Sequence, residues 1–454
     1  MTYPPRRNPP PPPVSTELIS TEPMSTGPLS AGPTETEATA VRSPLMRALV
    51  ADVRAGKPDA EETFWRYAAA TGTPLVEPDP EGDPDHRLVT FVRREDPARP
   101  ATHVLALVHT VTDKDRHAGD LAPHLMERID GTGVWAISHR LRADHRASYQ
   151  FHATGGTRED ALRADRSSWL GVLDHAEPDP LNDRAPLPSR DGRNPASVLE
   201  LPDAPPQSRI RRRDDMDRGR TLDAEVDGRR ITVHLPPGHR PDSGPYALAV
   251  LLDGEMWGPV LGVGDILDNL HADGDLPPTV AVLVDTMGRR MDDLACSAPF
   301  VDWLADTLLP WAEREYGAGA DAARTVVAGQ SAGGLTAAFA AFQRPDRFGL
   351  ALSQSGSFWW PDDERGSEWL TGQYAWAERR PVTLHLEVGL QEWMLLQENR
   401  RLRNVLRARG YDVRYGEFNG GHDYACWRGG LADGLAALLG EGWDDDATPH
   451  PEHA

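Results

Sequence analysis

Apolar residues along this chain change their spacing three times, and each change predicts a different kind of structure. Up to about residue 42 there is no periodicity. A proline run at 9–13 precedes a mixture of Ser, Thr, Glu and Pro with little to bury, which predicts a disordered tail over 1–42. Ser43 and Pro44 then form an N-cap and first-turn pair for a helix that Gly56 can end. Asp59 and Glu62 have the spacing of a capping box for a second helix, which carries Phe64 and Trp65 and stops at Gly72. From 73 to about 201, short apolar or alternating runs at 88–93, 103–109, 134–141 and 146–152 are separated by turn-formers such as Gly131-Thr132-Gly133. That rhythm predicts an antiparallel β-sandwich.

A linker over 206–220 follows, where Arg211-Arg212-Arg213 meets Asp214-Asp215. Beyond it, Asp227-Gly228 between two alternating runs predicts a β-hairpin. Buried-type strands are then expected at 246–252, 279–284, 325–328, 350–353, 382–388 and 413–418. Helical stretches at 300–316 and 394–407 lie between them, the first with Phe300, Trp303, Leu304, Leu308 and Trp311 on one face. Strands alternating with helices imply an α/β domain whose mainly parallel sheet is covered on both faces. The expected organisation is a tail over 1–42, a sandwich with leading helices over 43–205, the linker, an α/β domain over 221–441 and an acidic tail over 442–454.

With 454 residues, two folded domains plus tails is the default expectation. The net charge of −22 opposes nucleic acid or an anionic membrane as a partner. No apolar run is long enough to cross a bilayer. Arg6 and Arg7 lead into prolines rather than an apolar stretch, so no secretory signal is read and a cytoplasmic protein is expected. Cys296 and Cys426 allow at most one disulfide, and two reduced thiols with no cysteine metal site are expected. The sequence calls for no cofactor and gives no oligomeric state.

The chemistry enters at Gly329-Gln330-Ser331-Ala332-Gly333, a G-x-S-x-G motif. An apolar strand precedes it and a small-residue helix, 334–342, follows. That is the setting of a nucleophile elbow in an α/β-hydrolase fold, which lifts a serine hydroxyl above the sheet. The Ala332 amide then lies at a helix N-terminus, where it can donate to an oxyanion. A serine needs a base, and in this fold the histidine comes last, after the final strand. His422, in Asn419-Gly420-Gly421-His422-Asp423, meets that requirement. Glu392, on the loop after the strand ending at Gly389, is the candidate acid; its plainer role is a helix N-terminal charge. Glu387 lies within the strand and is the weaker choice, and Asp423 is too close to His422 to fold back on it. The second oxyanion donor is assigned to the Glu255 amide beyond the turn Asp253-Gly254, with Asp253 holding that turn by local hydrogen bonds.

These motifs resemble the enterochelin esterases. The similarity is carried by 329–334, by Leu352-Ser353-Gln354-Ser355-Gly356-Ser357-Phe358-Trp359-Trp360, and by 251–257 and 420–430. In the N-terminal half it is carried by Phe64-Trp65, Gly72-Thr73-Pro74-Leu75, Asp179-Pro180-Leu181-Asn182 and 197–202. It spans about 60–440. The resemblance implies an immunoglobulin-like N-terminal sandwich before the esterase domain. It also implies cytoplasmic hydrolysis of the ester backbone of ferric catecholate siderophores, with iron present only as part of the substrate. The family's Ser–Glu–His arrangement falls on Ser331, Glu392 and His422. Two departures bear on the substrate: a small Ala332 where the family often has a bulky residue, and Arg290-Met291-Asp292-Asp293-Leu294 where it has Arg-x-x-Glu-Leu. A ferric tris-catecholate is anionic, so a local cationic pocket is required, for which Arg290, Arg428, Arg289 and Arg140 are candidates. Trp257, Trp359 and Trp360 either wall the site against catechol rings or pack the core. The competing readings are a carboxylesterase acting on a carbohydrate or other acyl ester, and a siderophore-binding protein without catalysis.

Overall fold

Ser43 caps the first helix, Pro44–Arg54, by accepting the Met46 amide at 3.1 Å. The second helix, Ala60–Thr71, starts differently from the expected capping box. Asp59 sits in the left-handed region at φ 58, and its carboxylate makes no cap bond. The computed structural model describes residues 42–189, 192–361 and 366–440. The expected tails, apart from Arg42, lie outside those residues.

In the N-terminal half the strands are β1 Leu75–Pro78, β2 His86–Arg94, β3 His103–Val108, β4 Glu127–Arg128, β5 Val134–Arg142, β6 Arg146–Thr154 and β7 Ser197–Glu200. They form two antiparallel sheets, β1-β2-β5-β4 and β3-β6-β7. Val89, Phe91 and Ile137 of one sheet share a core with Ala106, Tyr149, Phe151 and Leu199 of the other. The two leading helices are where the sequence placed them, but the part after them is not the all-β sandwich expected, because the helix Arg166–His175 lies between β6 and β7. Met46, Leu49, Phe64 and Trp65 of the two leading helices cover the outer face of the first sheet through Val92, Val134 and Ala136. On the second sheet, Trp169 and Val172 of the helix Arg166–His175 pack on Leu105 and Leu107. Strands β2, β3 and β5 are thus buried on both faces, which is why they read as apolar runs rather than clean alternation.

The C-terminal half holds one eight-stranded sheet of β8 Arg220–Val226, β9 Arg229–Leu235, β10 Ala247–Leu251, β11 Thr279–Val284, β12 Thr325–Gln330, β13 Leu350–Gln354, β14 Thr383–Gly389 and β15 Asp412–Phe418. Its order is β15-β14-β13-β12-β10-β11-β9-β8. Six strands are parallel, and the β8–β9 hairpin, turning through Asp227 and Gly228 at positive φ, adds an antiparallel edge. The expected helix at 300–316 is continuous but contains a π-turn, Leu304–Leu308. Pro310, having no N–H, leaves a gap in the ladder there. No helix among the described residues is long and apolar enough to cross a membrane, and both cysteines are free thiols.

The carboxyl ends of the parallel strands are aligned. Gln330 pairs in register with Gln354, and Gln354 with Glu387. Their side chains form a buried ladder that extends to Trp257. Trp257 Nε1 donates to Gln330 Oε1 (2.8 Å), Gln330 Nε2 to Gln354 Oε1 (2.7 Å) and Gln354 Nε2 to Glu387 Oε1 (2.6 Å). Burial pushes the Glu387 carboxyl up to about 7, with the Gln354 hydrogen bond opposing and Asp433 and Glu392 adding to the rise. The folded state therefore binds this proton more tightly than the unfolded chain. Its contribution to stability is full below the unfolded value, declines as pH rises toward 7 and is absent above it. Glu387→Gln should remove that slope, gaining about 1–3 kcal/mol relative to wild type between pH 4 and pH 8. Denaturant titrations at both pH values measure it, and parallel pH profiles for the two proteins would refute it.

Candidate active site

The residue after β12 is Ser331, at φ 59 and ψ −120, and the helix Ala332–Gln343 begins immediately. A Cβ on Gly329 would lie 2.4 Å from the Gly333 carbonyl carbon, so the turn closes only with glycine there. Ser331 is held from both sides: its amide donates to Gln354 O at 3.0 Å, and its carbonyl accepts the Ser357 amide at 3.0 Å. Its hydroxyl lies 3.3 Å from Ser357 Oγ. The Ala332 amide, in the first turn, has no intrahelical acceptor.

His422 lies on the loop after β15, and its Nδ1 is 2.7 Å from Glu392 Oε2. The other Glu392 oxygen accepts from the Gly389 amide (2.9 Å) and the Ser355 hydroxyl (2.5 Å). Ser355 Oγ in turn accepts from Trp427 Nε1 at 2.9 Å. Three hydrogen-bond partners around a carboxylate that is 2% exposed hold it fixed. They also put the His422 proton on Nδ1 and leave Nε2 open. The Trp427 ring backs the imidazole edge-on at 4.7 Å. Glu387, the weaker candidate, bonds Gln354 instead and does not touch His422.

Ser331 and His422 border two cavities at once, of about 380 and 410 Å³. The first is also lined by Trp359, Trp393, Met394, Arg116 and His117, and the second by Met256, Arg290, Arg193 and Tyr424; His109 borders both. A larger cavity of about 620 Å³ lies in the N-terminal half around Trp65 and Arg93 and contains none of the candidate residues.

The arginine candidates fare differently. Arg290 reaches the second cavity, but its guanidinium is clamped on Asp253, Nε to Oδ1 at 2.6 Å and Nη2 to Oδ2 at 2.9 Å. Asp253 thus holds a distant side chain, not its own turn. Arg428 turns away toward Gln207 Oε1, 3.3 Å off, and borders neither cavity. Arg140 is spent on Asp79 and Asp83 in the first sheet. Arg289 is exposed outside both cavities. Among the tryptophans, Trp359 borders the first cavity, whereas Trp257 is fully buried in the core. Trp360 packs against the core and edge-on to Trp369 at 6.3 Å. The Glu255 carboxylate ties down the Thr286 amide and hydroxyl at 3.1 and 2.5 Å, and its own amide sits in the first turn of the helix Gly254–Trp257.

Sequence reasoning placed the contribution of the N-terminal half at Arg140 and missed the residues that border the cavities, His109, Arg116, His117 and Arg193. A legible sign was the cluster of His109, Lys114, Arg116 and His117 just after a buried strand. Among the described residues, no group of three or more His, Cys, Asp or Glu converges as metal ligands.

The chain matches two family models, Esterase over residues 226–438 and "Enterochelin esterase, N-terminal" over 88–210. It is 33% identical to the iron(III) enterobactin esterase of Dickeya dadantii, covering 84% of this chain and 93% of that one. The counterpart from Escherichia coli O6:H1 is 36% identical over 72% of this chain and 85% of that one. The crystal structure of ferric enterobactin esterase from Salmonella typhimurium superposes with a TM-score of 0.72 at 32% identity, covering 84% of this chain and 99% of that one. The two-sheet N-terminal half, the mixed α/β sheet and these matches together make the chain a member of the enterochelin esterase family.

Proposed function

We propose that this protein is a cytoplasmic serine esterase that opens the trilactone of ferric catecholate siderophores such as enterobactin, so that the chelate falls apart and releases its iron. The observation that carries the reading is the relay from Trp427 through Ser355 and Glu392 to His422, on the wall of the cavities that Ser331 also borders. Residues 221–441 are read as the catalytic domain, and 43–205 as an immunoglobulin-like sandwich with its helical cover. Iron enters and leaves with the substrate.

In this mechanism, Ser331 Oγ attacks the ester carbonyl carbon and its proton passes to His422 Nε2. Glu392 keeps the ring oriented and stabilises the imidazolium. The carbonyl oxygen, now negative, takes hydrogen bonds from the Ala332 and Glu255 amides. As the carbon–oxygen ester bond breaks, the leaving serine-type alkoxide takes the proton from His422. Water, deprotonated by the same histidine, then releases the acyl group and regenerates Ser331. Arg116 brings positive charge to the first cavity, and Trp359 and Trp393 give it aromatic walls for catechol rings.

Ser331→Ala should lower trilactone hydrolysis about 10³-fold or more while leaving the thermal unfolding transition unchanged. Product analysis by mass after incubation with the ferric and iron-free siderophore reads it; undiminished turnover would remove Ser331 from the mechanism. Arg116→Ala should raise KM for the ferric complex about two- to fivefold, with little change for a small neutral ester. Equal effects on the two substrates would argue against a cationic wall.

A further inference from the structure

The loop that carries His422 is built onto the N-terminal half. The Arg146 amide donates to Asn419 O at 3.1 Å, Asn419 Nδ2 to Asp144 Oδ1 at 2.6 Å, and the Ser148 amide to Asp423 Oδ2 at 2.5 Å. Thr110 presses on Gly421 so closely that a Cβ there would lie 1.7 Å from its hydroxyl oxygen. At the centre of this contact is His109. Its Nε2 lies 2.6 Å from the backbone carbonyl of His422, and its Nδ1 lies 2.8 Å from Asp113 Oδ2. Asp113 is itself fixed, accepting the Thr110 amide at 3.0 Å.

Both partners of this imidazole are acceptors only. A neutral ring has one N–H and could satisfy one of them; only the imidazolium donates to both. We propose that His109, supplied by the N-terminal half, is a charged positioning residue that grips the His422 carbonyl and so fixes the catalytic base for the esterase reaction. The proposal rests on the esterase reading and adds a second role for the N-terminal half, beyond lining the cavities.

The charged groups around the ring agree with a cationic state. Burial alone would lower its pKa, but Asp113 in contact, Asp423 nearby and the His422 carbonyl raise it to about 10. Arg116 borders the same cavity and acts on Asp113 rather than bonding His109. Below about pH 10 the ring therefore donates to both acceptors at once; above it the single remaining N–H is contested by Asp113 and the His422 carbonyl, and the grip weakens. Removing the carboxylate weakens the preference for the cation; a neutral ring can still donate from Nε2 to the carbonyl, so the charge assistance is what that change removes.

The test is steady-state kinetics on a small neutral ester, which takes little binding from the cavity walls, over pH 6–10. His109→Ala should lower kcat about ten- to hundredfold with KM within about twofold, as expected for a lost charge-assisted hydrogen bond. His109→Gln, which keeps a donor for the carbonyl, should recover part of that loss. Asp113→Asn, which leaves a ring able to donate from Nε2 without the charge assistance, should have a kcat between those of wild type and His109→Ala above about pH 7. An unchanged kcat in His109→Ala, or a change confined to KM, would overturn the proposal. So would an Asp113→Asn profile that follows wild type. A wild-type protein that hydrolyses no ester would instead count against the esterase reading, so the two failures are distinguishable.

Discussion

Ser331 occupies a backbone conformation, φ 59 and ψ −120, that a residue with a side chain adopts only when its surroundings enforce it. Such a conformation costs about 1–3 kcal/mol and tends to persist where function needs it. Here the enforcement comes from β13. Gln354 accepts the Ser331 amide, the loop beyond β13 returns the Ser357 amide to its carbonyl, and Gly329 lets the helix start close to the strand. The same strand end delivers Ser355, whose hydroxyl braces Glu392, and Glu392 braces His422. The proposed nucleophile and the orientation of its base therefore share one structural support, the register of β12, β13 and β14.

That economy explains how the buried polar groups are used. Gln330, Gln354, Glu387 and Trp257 would be costly in a core if left unsatisfied. Linked end to end, they tie the strand ends laterally beneath the elbow. Arg290 serves a comparable purpose: its pairing with Asp253, and its reach to Gln330 O at 3.3 Å, join the loop after β10 to the elbow. The charge on Arg290 is thereby matched internally. Positive charge for an anionic substrate must come from elsewhere in a chain of net charge −22, and Arg116 of the N-terminal half borders the first cavity, whereas Arg193 at the second is paired with Asp174 at 2.8 Å.

Much of this was legible because it is local. The G-x-S-x-G turn, the Asp227-Gly228 hairpin and the buried strands announce themselves within a dozen residues. The choice of Glu392 over Glu387 followed from one being on a loop and the other inside a strand. What could not be read is who pairs with whom across the chain. His109 and His422 meet over a separation of 313 residues, and nothing near Arg140 says that Asp79 will claim it. The helix Arg166–His175 over the second sheet was missed for a related reason: a strand buried on both faces loses the alternation that distinguishes an open sheet, and nothing in β3 itself says what covers it. Trp257 and Trp360 looked like candidates for a binding wall because a tryptophan carries no local mark of which way it faces.

The central claim is that the hydroxyl at position 331 is activated by the histidine and glutamate that line the same cavity. Active-site labelling with a fluorophosphonate, followed by peptide mapping in the mass spectrometer, tests it directly. The account predicts one adduct per chain, on Ser331, with labelling slowed in Glu392→Gln and nearly abolished in His422→Ala. Labelling of a different residue, or an equal rate in the folded His422→Ala protein, would contradict it.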